Sequence, residues 1–377
     1  MNVLNTTVNR SIIAILCLLL VCCKKTRDRI QLAPGTVIKL ELPYKAGIGN
    51  LRVAEKDAGF FFYSFSTRTS KRIDMFDEQG KLLKTISLKN LLKDEAGIDD
   101  IAFHHHRFLL LSEKTGNLYT MDTNGSVTGI QHFDAPYQNS IAQEIRASHF
   151  NGFILSDSKY LFNCYYYFAD TVFPQSYYDY NNHYPYFMEV DESDSNHPVV
   201  SYRLPGFYTR FMPEYGINIE SAVYTITDRN VLLSSWYTDS LYVADKEKLQ
   251  ITRAVPIRSD YTRLGIEPFI ANDTVHIPDD EFNARLQTQG SITNAIYDPY
   301  RKYYYITIFH STTQEKRKKN GPWSFIVLDS AFTQLGEVKM DENKFDSEML
   351  LVLKDGLLFK NINDAANEFQ LYKISVR

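Results

Sequence analysis

The decisive feature of the sequence is a hairpin pattern that recurs along the chain. Its clearest copy is Leu118–Ile130, LYTMDTNGSVTGI, in which apolar and polar residues alternate, break at Asp-Thr-Asn-Gly and alternate again. Alternation with a period of two on both sides of an Asp/Asn/Gly turn predicts a β-hairpin. Similar stretches begin at Ile73 (IDMFDEQGKLLKTI), Leu241 (LYVADKEKLQITRA) and Phe325 (FIVLDSAFTQLGEV). The chain therefore repeats one small antiparallel unit.

Strand-like runs arrive in groups of about four along most of the chain. The groups cover residues 50–87, 99–132, 147–204, 221–255, 291–340 and 349–375. In the third group, the first two strands are predicted at Ala147–Asn151 and Ile154–Asn163. Four-stranded repeats at spacings of about 45 residues are typical of β-propellers, in which each repeat forms one blade. The many Tyr (26) and Phe (24) residues also favour strands, so the chain is predicted to be all-β.

The last group contains three strands, and the missing strand is predicted at the start of the chain. Residues Thr36–Pro43, TVIKLELP, alternate cleanly before the first complete group. Pairing them with Glu368–Ser375 would give the last sheet its fourth strand and remove two open sheet edges. The predicted fold is a six-bladed β-propeller of four-stranded antiparallel blades over residues 36–377, closed by its N-terminal strand.

An aspartate ends the third strand of most groups. A carboxylate at this place can accept hydrogen bonds from the N–H groups of the following turn. Because the residue recurs with the hairpin, we interpret it as structural rather than catalytic. The positions are Asp77, Asp122, Asp191, Asp245 and Asp329.

The N-terminal residues predict export and lipid attachment. The apolar run Ser11–Cys22 is too short to span a bilayer and suits a secretory signal. Leu20–Cys23 resembles a bacterial lipobox, and Cys23 is the predicted lipidated residue, with Cys22 as the alternative. Residues 1–22 would then be the signal peptide and residues 23–35 the lipidated tether. Since basic residues rather than an aspartate follow Cys23, we expect a cell-envelope location, with the outer membrane favoured over the inner one.

With this lipobox, the repeated hairpin aspartate and the aromatic run Tyr297–Ile306 (YDPYRKYYYI), the chain resembles uncharacterised bacterial lipoproteins with a TolB-like six-bladed β-propeller. The resemblance covers nearly the whole mature chain. It implies a fold and a place in the cell envelope. It brings no catalytic residues with it, because such families have none established.

One long insertion, Tyr165–Phe187, is rich in Tyr and Phe. Tyrosine offers a rigid ring with a polar tip, which suits stacking on sugars or gripping peptides. The alternative is that these rings pack over neighbouring blades. The candidate ligand-binding residues of this insertion are Tyr177, Tyr178, Tyr180 and Tyr184.

A second insertion, Arg258–Gln289, mixes charged residues with turn residues. Its Asp279–Glu281 run could bind a hard cation, but it lacks the spacing of a defined calcium loop. The favoured interpretation is a short helix over Pro278–Arg285 with acidic residues in its first turn. Arg210 and Arg263 lie near the two insertions and could hold an acidic ligand.

His104-His105-His106 is a weak candidate metal motif. Alternate residues of a strand share a face, so His104 and His106 could bind zinc or nickel together with a third ligand such as Glu144 or His149. The favoured alternative is a polar loop between two strands. We therefore predict neither a bound metal nor any other cofactor.

Several functional classes find no support in the sequence. It contains neither a Gly-x-Ser-x-Gly elbow nor a Gly-rich phosphate loop, and its net charge of −4 argues against nucleic acid as a partner. The favoured function is a lipid-anchored, monomeric binding or scaffolding module that holds a glycan, a peptide or an envelope protein through its Tyr-rich loops. The alternative is a propeller hydrolase or lyase, with or without a metal, whose site lies at the channel mouth.

Overall fold

The protein, seen in a computed structural model, is built from β-strands. The structure describes residues 30–42, 50–56, 59–66, 71–89, 91, 98, 100–112, 116–132, 142–148, 154–168, 187–193, 199–203, 222–235, 238–265, 284, 288–312, 321–362 and 367–376. Within these residues, the strands form six four-stranded antiparallel sheets.

The strands are numbered in chain order, and the sheets are numbered from the first complete one. Strand β1 covers Ile30–Lys39. The first sheet contains β2 (Asn50–Lys56), β3 (Gly59–Ser66), β4 (Arg72–Phe76) and β5 (Leu82–Ser87). The second sheet contains β6 (Asp100–His104), β7 (Arg107–Ser112), β8 (Asn117–Asp122) and β9 (Val127–His132). The third sheet contains β10 (Ala142–Ser148), β11 (Lys159–Phe168), β12 (Phe187–Asp191) and β13 (Val199–Arg203).

The remaining sheets follow the same plan. The fourth sheet contains β14 (Ala222–Ile226), β15 (Asn230–Ser235), β16 (Ser240–Asp245) and β17 (Ile251–Pro256). The fifth sheet contains β18 (Ser291–Asp298), β19 (Tyr303–Phe309), β20 (Trp323–Leu328) and β21 (Gln334–Lys339). The sixth sheet contains β22 (Phe345–Leu353), β23 (Gly356–Asn361), β24 (Glu368–Val376) and, beside β24, the N-terminal strand β1.

The recurring aspartates hold the turn between the third and fourth strands of their sheets. One carboxylate oxygen of Asp122 accepts hydrogen bonds from the backbone N–H groups of Asn124 and Ser126, both at 2.8 Å. The carboxylates of Asp77, Asp191, Asp245 and Asp329 accept hydrogen bonds from their own turns in the same way. The prediction that these carboxylates accept hydrogen bonds from the N–H groups of their turns is confirmed.

The N-terminal strand pairs with the C-terminal strand, as predicted. The register runs from Ile30 opposite Val376 to Lys39 opposite Glu368. The predicted bounds of this strand were wrong, because it begins at Ile30, inside the predicted tether, and ends at Lys39. Pro34 and Gly35 break the alternation that strand prediction relies on, and the structure absorbs them as a register shift between Pro34 and Val37.

The first two strands of the third sheet differ from their predicted bounds. Strand β10 lies earlier, at Ala142–Ser148, and β11 lies later, at Lys159–Phe168. The turn between them includes Ser156-Asp157-Ser158, residues that favour turns, and the N–H of Leu155 donates to the carbonyl of Lys159 at 2.8 Å. The start of the predicted Tyr-rich insertion is therefore strand.

Buried apolar side chains pack between neighbouring sheets. Such clusters join the sixth sheet to the first, the first to the second, the second to the third, the fourth to the fifth and the fifth to the sixth. In the last of these junctions, the buried Trp323 donates its indole N–H to the carbonyl of Phe345 at 3.2 Å. Face-to-face packing of successive four-stranded sheets is the arrangement of propeller blades.

Among the residues that the structure describes, no helix has the length and apolar character needed to cross a bilayer.

Because the strands alternate in direction, the connections between them lie at two opposite ends of the sheets, which we call the turn face and the loop face. The turn face carries the turns that join first to second and third to fourth strands, and the loop face carries all other connections. The insertion Tyr165–Phe187 leads from β11 to β12, and Arg258–Gln289 leads from β17 to β18. Both insertions therefore start and end at the loop face, while their central residues, 169–186 and 266–283, lie outside the described residues.

Candidate functional site

A cleft of about 690 Å³ opens on the turn face between the first and second sheets. Its apolar lining comes from strands of both sheets, and its polar lining comes mostly from their turns, with Lys84 on strand β5 as an exception. The apolar residues are Phe60, Phe61, Met75, Leu83 and Phe103. The polar residues include Asp77, Glu78, Lys84, His106, Thr123 and Asn124.

Aromatic rings form the floor of the cleft. Phe61 of the first sheet meets Phe103 of the second edge to face, with ring centroids 4.9 Å apart. Phe103 in turn contacts Phe108 at 5.1 Å, which anchors the floor in the core between the sheets. Leu83 stands at the side of the cleft with 58% of its surface exposed. A ligand could therefore reach apolar side chains without any opening of the core.

Several polar groups around the cleft already make hydrogen bonds within the protein. Lys84 donates from Nζ to the carbonyl of Thr123 and to Oδ1 of Asn124, both at 3.1 Å. Glu78 accepts from the backbone N–H of Phe60 at 3.3 Å, and Asp77 holds its own turn. These hydrogen bonds join polar groups of the rim to the backbone of both sheets.

The histidine triplet forms the turn between β6 and β7, beside this cleft. His104 ends β6, and His105 and His106 follow with φ of 46° and 62°. Histidine is among the residues that enter this left-handed region most readily. The alternation assumed in the sequence prediction thus stops at His104. His106 lines the cleft, whereas His104 and His105 approach Asp157 in the neighbouring turn of the third sheet.

The three side chains His104, His105 and Asp157 form a compact cluster. The Nε2–H of His105 donates to Oδ1 of Asp157 at 2.8 Å, and Nε2 of His104 lies 3.7 Å from the same oxygen. Burial, followed by the neighbouring His105, lowers the pKa of His104, which favours its neutral imidazole. The hydrogen bond from His105 lowers the pKa of Asp157, which favours its carboxylate. Sequence analysis did not single out Asp157, because its contact with the two histidines joins two different sheets.

Polar side chains also tie the fifth sheet to the fourth and to the first sheet on the turn face. Lys302 and the hydroxyl of Tyr297 both donate to Oδ2 of Asp228 in the fourth sheet, at 3.1 Å each. The hydroxyl of Tyr300 donates to Glu55 of the first sheet. This gives a structural account of the aromatic run Tyr297–Ile306, whose other rings are largely buried.

On the loop face, a buried carboxylate anchors the start of the second insertion. Glu337 of β21 accepts hydrogen bonds from Ser259 Oγ at 2.8 Å and from the backbone N–H of Asp260 at 2.5 Å. Ser324 also donates to Glu337. Arg263 follows on this anchored stretch, is exposed, and accepts at its carbonyl from the N–H of Gly290 at 2.7 Å.

Most of the other predicted site residues lie outside the described part of the chain. They are Cys23, Tyr177, Tyr178, Tyr180, Tyr184, Arg210, His149 and, apart from residue 284, the predicted helix Pro278–Arg285. The backbone of Glu144 pairs with Tyr167 in the third sheet. Of the predicted ligand-binding residues, only Arg263 lies in the described part of the chain. The described residues therefore do not test whether these side chains come together.

Four-stranded antiparallel sheets that succeed one another in the chain and pack face to face define this protein as a β-propeller. Neither a protein-family model nor a curated protein matches its sequence. Among solved structures, the chain is similar to a member of the DUF4221 family from Bacteroides vulgatus, with a TM-score of 0.70 and 18% identity over 93% of this chain and 100% of that one. It is also similar to a candidate exported protein from Bacteroides fragilis, with a TM-score of 0.52 and 9% identity over 93% of this chain and 96% of that one. At these identities the likeness supports the fold alone, and it agrees with the resemblance to uncharacterised propeller proteins.

Proposed function

We propose that the protein is a binding or scaffolding module of the cell envelope that holds a glycan, a peptide or an envelope protein. The observation that carries this proposal is the cleft between the first and second sheets, with its aromatic floor and fixed polar rim. Its volume of about 690 Å³ falls among those of sites that bind small ligands or short segments of larger ones, about 300–1,000 Å³. Apolar lining with a few oriented polar groups is the usual composition of such sites.

The Tyr-rich insertion provides a second proposed contact surface, at the loop face. Tyr177, Tyr178, Tyr180 and Tyr184 would supply rigid rings, and Arg210 and Arg263 would hold acidic groups of the ligand. This surface stays a prediction from the sequence. It differs from the cleft in face and in residues, so the two can be tested separately.

Glycan and peptide arrays probed with the purified full-length chain test the proposed function. We expect binding that Leu83→Arg abolishes, because the long charged side chain would fill the cleft. The matched control is Ile130→Arg, which alters an equally exposed apolar residue, 61% against 58%, on the fourth strand of the next sheet. Binding that both variants leave intact would remove the cleft from the proposal. Cleavage of an array ligand would instead favour the hydrolase or lyase alternative.

We further propose that the six sheets close into one six-bladed ring. The pairing of β1 with β24 and the five apolar junctions between neighbouring sheets support this arrangement. A sixth junction, of the third sheet with the fourth, would complete the ring. In a ring of this kind the sheets keep only short, protected edges, and the N-terminal strand gives the last sheet the same four strands as the others.

Export and lipid attachment complete the proposal. The apolar run before Cys23 supports a signal peptide, and the likeness to a candidate exported protein from Bacteroides fragilis agrees with a location in the envelope. A lipid at Cys23 would place the propeller close to a membrane surface, with the outer membrane favoured. We propose a monomeric domain with no nucleic-acid partner.

A further inference from the structure

We propose that His104, His105 and Asp157 form a binding site for a divalent first-row transition-metal ion, such as Zn²⁺, that bridges the second and third sheets. This site was not the one suggested by the sequence, which pointed to His104 and His106. It is independent of the aromatic cleft and of the proposed ligand.

The distances between the three side chains match those around a bound ion. A tetrahedral zinc ion bonds imidazole nitrogen and carboxylate oxygen at about 2.0–2.2 Å, which places its ligand atoms about 3.3 Å from one another. The two measured distances, 2.8 Å from His105 Nε2 and 3.7 Å from His104 Nε2 to Asp157 Oδ1, lie on either side of that value. All three ligand atoms lie within 4.8 Å of one another. Small side-chain rotations would therefore complete the geometry.

His104 supplies an independent sign that the cluster is incomplete. Its Nε2 is buried and has no hydrogen-bond partner among the described residues. A buried polar atom without a partner is costly, because it has lost its hydrogen bonds to water and gained none in the protein. A metal ion would satisfy this nitrogen, and it would take the place of the Nε2 proton that His105 now donates to Asp157.

The donor set selects the class of ion. Two imidazoles with one carboxylate suit Zn²⁺, Fe²⁺, Co²⁺ or Ni²⁺, whereas Ca²⁺ and Mg²⁺ prefer oxygen ligands. Three protein ligands leave at least one coordination position open. Because His105 and Asp157 have side chains 58% and 85% exposed, that position is accessible to water or to a small anionic ligand.

The backbone offers a closely matched pair of variants for the test. His105 and His106 are neighbours in one turn, both exposed and both in the left-handed region, and asparagine also tolerates that conformation. His105→Asn therefore removes a proposed ligand, while His106→Asn makes the same exchange beside it. Asp157→Asn tests the carboxylate with little change in shape.

The experiment is titration of the untagged full-length chain, in mild detergent, with Zn²⁺ by calorimetry and with Co²⁺ by visible absorption. We expect one site that His105→Asn and Asp157→Asn each weaken by at least about tenfold, since loss of an outer-shell partner of a ligand already costs about that much. We expect His106→Asn to leave the affinity unchanged. Comparison among variants removes any contribution from the N-terminal cysteines, which all of them share. Absence of binding in the unaltered protein, equal binding in all variants, or loss in His106→Asn alone would overturn the proposal.

Discussion

Arg52 and Asp100 form an ion pair between the first strands of two successive sheets. Nη2 of Arg52 lies 2.6 Å from Oδ1 of Asp100, which is fully buried, while the Arg52 side chain is 24% exposed. The same guanidinium donates to the carbonyl of Ile101 and lies over the ring of Phe65, 5.2 Å from its centroid. One side chain of the first sheet thus satisfies both a charge and a backbone group of the second.

Removing Arg52 alone should destabilise the protein strongly. Arg52→Met leaves the carboxylate of Asp100 buried without its cation, and the loss of one partner from such a pair costs about 3–5 kcal/mol. In the double variant Arg52→Met with Asp100→Asn, the buried charge is gone, so we expect part of that stability to return. Urea unfolding of the three proteins measures the difference. Equal midpoints for the single and double variants would contradict this account of the pair.

Gly80 should be more sensitive to substitution than the equivalent Gly125. Both end the same type of turn with φ near 90°, and an L-residue there costs about 1–2 kcal/mol. At Gly80, however, a Cβ would collide with the backbone carbonyl of Lys39, at the end of β1. At Gly125, it would meet only the side chain of Ile86, at 2.7 Å.

The two alanine variants therefore separate backbone strain from disturbance of the N-terminal strand. We expect Gly80→Ala to lower the free energy of unfolding by at least about 1 kcal/mol more than Gly125→Ala. Thermal or urea unfolding provides the measurement. Equal losses for the two variants would contradict the predicted collision between a Cβ at residue 80 and the carbonyl of Lys39.

His310 should make the free energy of unfolding decrease as the pH is lowered from about 6.5 to about 4. It is 5% exposed, bonds Ser324 through Nε2 at 2.9 Å and stacks on Tyr261. Burial, followed by nearby Lys339, lowers its pKa to about 4. In the unfolded chain a histidine titrates near 6.5, so between these values the unfolded state binds the extra proton. The resulting stability is intact above about pH 6.5 and is lost as the pH falls towards 4, a change of about 3 kcal/mol.

His310→Gln isolates this contribution because it removes the titrating group and keeps a polar side chain. The stability advantage of the unaltered protein over this variant should shrink by about 3 kcal/mol between pH 7 and pH 4. His132→Gln, at an exposed histidine of β9, is the matched control. A pH-independent difference between the unaltered protein and His310→Gln would contradict the assignment.

Cys23→Ala should abolish labelling of the chain by radioactive palmitate during growth, since the proposed acceptor thiol is lost. Cys22→Ala should keep the label, because it alters only the residue before the proposed cleavage site. Gel autoradiography of cells that express each variant provides the measurement. The reverse pattern would move the lipid to Cys22, and a label kept by both single variants would refute the proposed site.

Most of the features that sequence analysis predicted correctly are local ones. A turn aspartate such as Asp122 bonds residues two and four positions ahead, so the pattern that reveals it lies within one hairpin. The same holds for the alternation of the strands, which follows from one buried face. The pairing of β1 with β24 was also predictable, because the last group contained only three strands and one strand at the start of the chain belonged to no group.

The features that it missed join residues that are far apart in the sequence. Asp157 meets His105 only because two turns lie side by side on neighbouring sheets. Arg52 reaches Asp100 because the first strands of two successive sheets, β2 and β6, lie close together. The cleft between Phe61 and Phe103 likewise depends on the spacing of two sheets. Short-range patterns carry no information on such spacing, which is set by side-chain packing across the interface.

The pairing of Ile30 with Val376 also dictates an order of assembly. Strand β1 can find its partner only after β24 has been made, so the edges of β1 wait unpaired while the five complete sheets between them are synthesised. Contacts between such distant residues slow folding, and waiting edges invite association with other chains. Loss of the last residues of β24 would thus leave the first residues of β1 without their pairing partners.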